Sequence, residues 1–430
     1  MRKKQFVAIA VGALCLPLTL TACGGDSGGS GSSAADGEIK GEITFQTWNL
    51  KNEKYTPYFE DLIDGFETEH PGTTVKWIDQ PAEGYQEKLS ADAAGGSLPD
   101  VVDMGPEAAY TLAQAGAILN LADADPDARA DYLPKAWESM TFDGLDGGTY
   151  GYPWYLNTGP SFFNAGLLER CGLDPNSLPQ TYDELFAQAE TMSKNCGDAS
   201  MLARLPAIET FGEYGVPLMS EDGAKFTFNG AKGVDLVESF VSLYAGKGLT
   251  EESLNNLQTN EVEEFKAGRL GYLPGSSYTL NDLKETAPDI YKALAIGPRI
   301  NNAAPNMYIE SLVVNAQSDN QSTAVAFAKF VTDADNQLAF AKAASVFPSS
   351  AGSLDDEYFV TGDGTNEATV RLETAAQVKE AVVWWPPAFS GADDAATLRE
   401  QIALAVLGEK TAQEALDDAV DYSNGRLAND

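Results

Sequence analysis

Residues 42–78 read EITFQTWNLKNEKYTPYFEDLIDGFETEHPGTTVKWI. Ile43-Thr44-Phe45-Gln46-Thr47-Trp48 has the β-branched and aromatic content of a strand. Thr56-Pro57 then opens a helix, with proline at the first helical position. Phe59, Leu62, Ile63 and Phe66 share one face of it at helical spacing. His70-Pro71-Gly72 stops it, and Val75-Lys76-Trp77-Ile78 is a second strand. Working outward, Tyr85 to Ala94 predicts a helix closed by Gly95-Gly96, Asp100 to Met104 a short buried strand, and Glu107 to Ala115 a helix closed by Gly116. Strand, helix, strand, helix, strand is the pattern of a mostly parallel sheet covered on both faces, so the expected class is α/β.

The alternation resumes further on. Ser161-Phe162-Phe163 predicts a strand and Ala165 to Cys171 a helix. Thr181-Tyr182-Asp183-Glu184 is a capping box, as is Thr411-Ala412-Gln413-Glu414. Ala231 to Tyr244 predicts a helix with Val234, Val237, Val241 and Tyr244 on one face. Leu270 to Leu273 and Ile309 to Val314 read as strands, and Ser322–Thr332, Asp335–Ala343 and Ala395–Leu407 as helices. No period of 20–50 residues is present. A chain of 430 residues is too long for one small core, which predicts two or more lobes.

The start of the chain is of another kind. Arg2, Lys3 and Lys4 precede a short apolar stretch, Phe6 to Leu20, and then Leu20-Thr21-Ala22-Cys23. That is a secretory signal, residues 1–22, too short to span a bilayer, which takes about 20 apolar residues. Its ending resembles a bacterial lipobox, which implies cleavage before Cys23 and lipid on its sulfur. Residues 23–37 carry GGDSGGSGSSAADG after the cysteine, a flexible tether with an r.m.s. span of roughly 20 Å. The expected location is the extracytoplasmic face of a bacterial membrane, reached through the lipid anchor only.

Formal charge is −36, from 28 basic against 64 acidic residues. Such a field repels nucleic acid and anionic surfaces. Only Cys171 and Cys196 remain beyond the signal and lipid cysteines. Each precedes a glycine where a helix is expected to stop, and a bridge would staple two helix ends. The alternative is two free buried thiols. The one histidine, His70, lies in a turn, so Ser–His, Cys–His and His-ligated metal chemistry have no candidates. No Walker loop and no GxGxxG after a strand occurs, and no cofactor is expected. Carboxylates are plentiful enough for a glycosidase pair, but spacing singles none out.

Aromatic and amide residues cluster at strand ends and loops: Trp48-Asn49, Trp154-Tyr155-Leu156-Asn157, Ser276-Ser277-Tyr278 and Trp384-Trp385-Pro386-Pro387. Sugars offer apolar C–H faces that stack on rings, and hydroxyls that need amide or carboxylate partners. For Trp384-Trp385, one ring is expected to serve a ligand and the other the core.

The chain resembles the extracellular solute-binding lipoproteins of carbohydrate ABC transporters, the maltose-binding-protein class, over roughly Gly41 to Leu427. The resemblance is carried by Phe66–Gly72 with Val75, by Tyr85–Leu89 through Leu98–Val102, and by Gly151–Trp154 through Phe163-Asn164. It continues in Gly172–Pro175 with Thr181–Leu185, Phe265–Arg269 before Gly275–Ser277, and Gly408–Lys410 with Glu414–Leu416. It implies a two-lobe, periplasmic-binding-protein-like fold of type II, with the ligand cleft between the lobes. Lobe one would be 38–156 plus 308–346, and lobe two 157–306 plus 347–430. Crossings would fall near Asn157–Pro160, Asn302–Met307 and Phe347–Ala351. It implies a carbohydrate ligand, ABC permease partners, a monomer and no enzymatic activity. A surface-anchored glycoside hydrolase, or the same fold with a non-sugar solute, is the alternative. Family ligand positions map onto Trp48, Asn49, Gln86, Glu107, Trp154, Tyr155 and Asn157. They continue on Glu209, Phe211, Ser276, Tyr278, Glu310, Ser311, Trp384 and Trp385.

Overall fold

Eleven strands frame the computed structural model, which describes residues 37–255 and 258–429. They are Gly41–Trp48 (β1), Thr73–Gln80 (β2), Val101–Met104 (β3), Thr141–Phe142 (β4), Gly148–Thr149 (β5), Tyr152–Asn157 (β6), Ser161–Asn164 (β7), Tyr272–Pro274 (β8), Leu294–Gly297 (β9), Tyr308–Val314 (β10) and Phe347–Pro348 (β11). The signal, Cys23 and most of the tether lie outside the described residues. Among the described residues no helix is long and apolar enough to cross a membrane.

The opening stretch folds as its pattern predicts. The helix Thr56–Glu69 has proline in its first turn and buries Phe59, Leu62 and Phe66, and His70 caps it. Its strands join a six-stranded sheet of order β11-β6-β10-β3-β1-β2. β1 runs parallel to β2 and β3. The rest of the sheet is antiparallel: β10 against β3 and β6, and β11 against β6. The sheet is therefore mixed rather than mostly parallel. β10 enters from the second lobe, so no local helical crossover fixes its direction.

Successive residues on these strands serve opposite faces. Val101 on β3, with Leu312 and Val314 on β10, joins Phe45, Phe59, Trp154, Phe327 and Phe340 on one side. Val102, Met104 and Val313 join Leu89 and Leu112 on the other. Each fully buried large side chain contributes about 1.5–3 kcal/mol.

The second lobe holds a three-stranded antiparallel sheet, β8-β7-β9. Its main core gathers Phe186, Phe211, Phe228, Phe240 and Leu416. Both capping boxes form, at Thr181–Glu184 and Thr411–Glu414. The helix Ala231–Ala245 is rotated from its expected face: it buries Gly233, Leu236, Val237, Phe240 and Leu243, while Val234 and Val241 lie at the margin. All its hydrophobic positions fit a helix, and Phe240 packs edge-on against Phe186 at 5.5 Å on the buried face. Cys171 and Cys196 form a disulfide with Cα atoms 5.5 Å apart. It staples the ends of helices Ala165–Arg170 and Tyr182–Asn195.

Three passages run between the large sheet and the small one. The first joins β6 to β7 and the second joins β9 to β10. The third does not fall at Phe347–Ala351, because Phe347-Pro348 is an edge strand of the large sheet. Residues Phe347, Leu354, Phe359, Ala375 and Val378 pack with Leu156 and Ile309 of that sheet. The chain returns beside the second passage, where Asn306 and Val382 form a bridge and Met307 N–H donates to Val382 O at 2.7 Å.

One buried carboxylate ties these passages together. Glu213 accepts from Tyr182 Oη at 2.9 Å, from Asn306 N–H at 3.0 Å and from Arg299 Nε. Arg299 Nη1 donates to Thr158 O at 2.7 Å, and Asn306 Oδ1 accepts from Trp384 N–H at 3.0 Å. Thr158, Asn306 and Trp384 stand one on each passage.

Candidate functional site

A cavity of about 360 Å³ opens at the carboxyl ends of β1 and β3. Ligands of open α/β sheets bind at this end, outside the strand termini. Trp48, the last residue of β1, and Met104, the last of β3, form its apolar walls with Tyr85. Gly84 turns the chain into helix Tyr85–Ala94 with φ 72°, a left-handed conformation that glycine adopts without strain. That turn places Tyr85, Gln86 and Glu87 at the cavity. Tyr85 is fixed by its own hydroxyl, which donates to Asp103 O at 2.8 Å, and Trp48 leans on it with ring centroids 6.5 Å apart.

The polar wall is acidic. Glu310, on β10, lines the cavity. A register shift between Glu310 and Ser311 breaks the β10–β6 ladder at that point. The carboxylate lies against Gly105, where a methyl group would meet both of its oxygens at 3.8 Å. Burial pushes its carboxyl up to about 8, against a hydrogen bond from the Trp48 side chain that lowers it. Asp103 on β3 is wholly buried, and neither of its carboxylate oxygens has a hydrogen-bond partner. Burial, then Glu310, then Asp79 hold its carboxyl well above the usual range.

Of the residues expected at the site, Trp48, Gln86 and Glu310 meet in this cavity. Glu107 stands beside it, in a neighbouring hollow of about 210 Å³ that Gln86 and Glu87 also line. Gly391 N–H, far along the chain, donates to Glu107 Oε1 at 3.3 Å. Trp385 belongs to the same corner, since a methyl group at Gly391 would meet its Cζ2 at 3.8 Å and Glu107 Oε1 at 3.9 Å. Trp385 Nε1 donates to Phe389 O at 2.8 Å. Trp384 turns away, covering Gly212 and donating through Nε1 to Ala304 O at 2.8 Å. Tyr155 is half-buried against Trp154, its hydroxyl pushed up by burial and then by Asp103 and Glu310.

Other expected positions do different work. Trp154 is wholly buried and stacks on Phe340 at 4.9 Å, and Phe211 is wholly buried in the second core. Neither has surface to offer a ligand. Both sit on regular elements whose inward face is already crowded with rings. Ser311 is also buried. Ser276 caps helix Ser277–Thr286, accepting from Thr279 N–H at 3.0 Å. Asn157 accepts from Gly159 N–H at 3.1 Å, where the first passage begins. Asn49 is exposed with φ 54°, and Tyr278 is 84% exposed. Glu209 is half-buried at the start of helix Ile208–Tyr214; its Oε2 is unpartnered, and burial raises its carboxyl.

Asp103 and Tyr85 were not among the expected site residues. An acid inside the apolar strand Val101-Val102-Asp103-Met104 is the signal that marks the first. An aromatic directly after Gly84 marks the second. Among the described residues no group of three or more His, Cys, Asp or Glu side chains is set to hold a metal ion.

Two lobes, three linking passages and a cavity at the strand ends describe a solute receptor. The model of bacterial extracellular solute-binding proteins matches residues 61–368, and the chain belongs to that family. It is 26% identical over 402 residues to the diacetylchitobiose binding protein DasA of Streptomyces coelicolor, covering 88% of this chain and 91% of that one. It is 23% identical over 441 residues to the sn-glycerol-3-phosphate-binding periplasmic protein UgpB of Salmonella typhimurium, covering 92% and 95%. The fold matches the cyclic α-maltosyl-1,6-maltose binding protein of Arthrobacter globiformis with a TM-score of 0.72 at 20% identity, over 91% of this chain and 100% of that one.

Proposed function

We propose that this chain captures a carbohydrate between its lobes and delivers it to the permease of an ABC importer. The supporting observation is the cavity, whose walls pair Trp48, Tyr85 and Met104 with Gln86, Glu87 and Glu310. Rings suit the apolar faces of a sugar, and amide and carboxylate groups suit its hydroxyls. Likeness to DasA supports the same reading. A phosphorylated solute would call for arginine or lysine, and none lines the cavity.

Lobe one takes in the large sheet and lobe two the small one, with Trp385 and Glu107 meeting across the cleft. Cys23 carries the lipid anchor on the extracytoplasmic face, and the protein works as a monomer. Binding, not hydrolysis, is the activity, as expected of a solute-binding family.

Thermal shift against an oligosaccharide panel tests this, because a ligand that binds only the folded state raises the melting temperature by mass action. The sugar recovered afterwards should be intact, and small-angle scattering should show a smaller radius of gyration with ligand. Stabilisation by glycerol phosphates and by no sugar would overturn the carbohydrate reading. A shortened sugar would overturn the binding reading.

A further inference from the structure

We propose that Glu310, backed by Asp103, makes the cavity selective for a carbohydrate that carries a protonated amine. The inference rests on the carbohydrate reading above and narrows it.

Three observations carry it. First, the two carboxylates stand on adjacent strands, β3 and β10: Glu310 lines the cavity, and Asp103 is wholly buried next to Met104, which also lines it. Second, they are left unpaired. Both Asp103 oxygens and Glu310 Oε2 are shielded from water without a hydrogen-bond partner. Neither residue is in an ion pair among the described residues. Elsewhere this chain pairs such acids: Glu213 with Arg299, Glu261 with Arg204, Asp394 with Arg426, and Asp125 with Lys329. Third, the surroundings supply two further acids, Asp79 and Glu87, two neutral phenols and no cation. Asp79 on β2, Tyr85 and Glu87 on helix Tyr85–Ala94, and Tyr155 on β6 face the pair. The Trp48 indole on β1 is the donor that reaches Glu310.

A buried carboxylate must find a counter-charge or a proton. With the cavity empty, burial favours the protonated form of both carboxyls, Glu310 adding to the rise at Asp103, and Glu310 keeps a proton. An ammonium group entering beside Glu310 takes the place of that proton, which leaves to solvent. A metal ion is a poorer occupant, since no third ligand is in place. A neutral hydroxyl can bond to one oxygen but supplies no counter-charge to replace the proton. Trp48 adds an aromatic face of the kind that attracts cations.

The test uses the full-length protein at about pH 7. Glucosamine dimer and trimer, their N-acetylated counterparts, and maltotriose are titrated by calorimetry in two buffers of different ionisation enthalpy. The amine-bearing oligomers should bind at least about tenfold more tightly than the N-acetylated ones. Their binding should release a proton. In Glu310→Gln and in Asp103→Asn the preference should collapse to within about twofold. Equal or tighter binding of the N-acetylated sugars overturns the proposal, as does an unchanged preference in both variants. If a variant does not fold, the wild-type proton count decides alone: no proton released on binding the amine overturns it. Binding of maltotriose with no preference for the amine sinks this inference and leaves the carbohydrate reading standing. Binding of no sugar at all sinks both.

Discussion

Glu213 and Glu310 are both acids in a protein interior, and they are treated in opposite ways. Glu213 has a guanidinium, a phenol and a backbone amide to itself, and holds the passages between the lobes. Glu310 has a buried neighbour of its own sign and an oxygen with nothing to bond. The first arrangement cannot improve by binding anything. The second improves as soon as a donor or cation arrives. A satisfied buried charge reads as architecture, and an unsatisfied one beside a cavity reads as a site.

The largest effect should come from breaking the satisfied member. Arg299→Ala leaves Glu213 buried without its counter-charge and should cost about 3–5 kcal/mol in denaturant unfolding. A loss below about 1 kcal/mol, the range of an exposed pair, would mean water reaches Glu213 and the contrast is false. The disulfide is a control remote from both acids. Opening Cys171–Cys196 with a Cys→Ser pair should cost about 3 kcal/mol while leaving ligand affinity as it was. A change in affinity would show that the staple shapes the cleft.

Relieving the unsatisfied member should act the other way. Glu310 has a folded-state value raised above its unfolded one. The native protein therefore holds more protons than the unfolded chain between about 4.5 and 8, and its stability falls as pH rises through that window. Glu310→Gln should flatten the fall and raise stability at pH 8 by roughly 1–3 kcal/mol, with little change at pH 4. Melting curves at both pH values check the sign. Destabilisation at pH 8 would show that the charged carboxylate is already compensated. The smallest effect should be at Tyr278. It is 84% exposed, so Tyr278→Ala should shift stability by less than about 0.5 kcal/mol. Weaker sugar binding at unchanged stability would place Tyr278 on the ligand once the lobes close.

Legibility in the sequence followed range. Elements with local start and stop signals were readable, as the stretch from β1 to β3 and both capping boxes show. The antiparallel insertion of β10 was not, because its partners lie about 150–210 residues away and nothing local sets its direction. The third crossing, carried over from the family pattern to Phe347–Ala351, falls where Phe347-Pro348 pairs with the distant β6. Trp48, Gln86 and Glu310, named from the family pattern, line one cavity. Trp154 and Phe211 were over-read, since composition cannot tell a ring on a cleft from a ring under it. Asp103 was passed over because its importance depends on Glu310 arriving from another part of the chain.

Gly212 and Trp384 form a lock between two distant positions. The indole lies flat on the bare backbone of helix Ile208–Tyr214, in the space a side chain at 212 would occupy. Its Nε1 is anchored to Ala304 and its amide to Asn306, so the ring has nowhere else to go. The two residues should therefore vary together in the history of this protein. A lineage that acquires even alanine at 212 is expected to have already surrendered the ring at 384, and the order of those two changes should never be reversed.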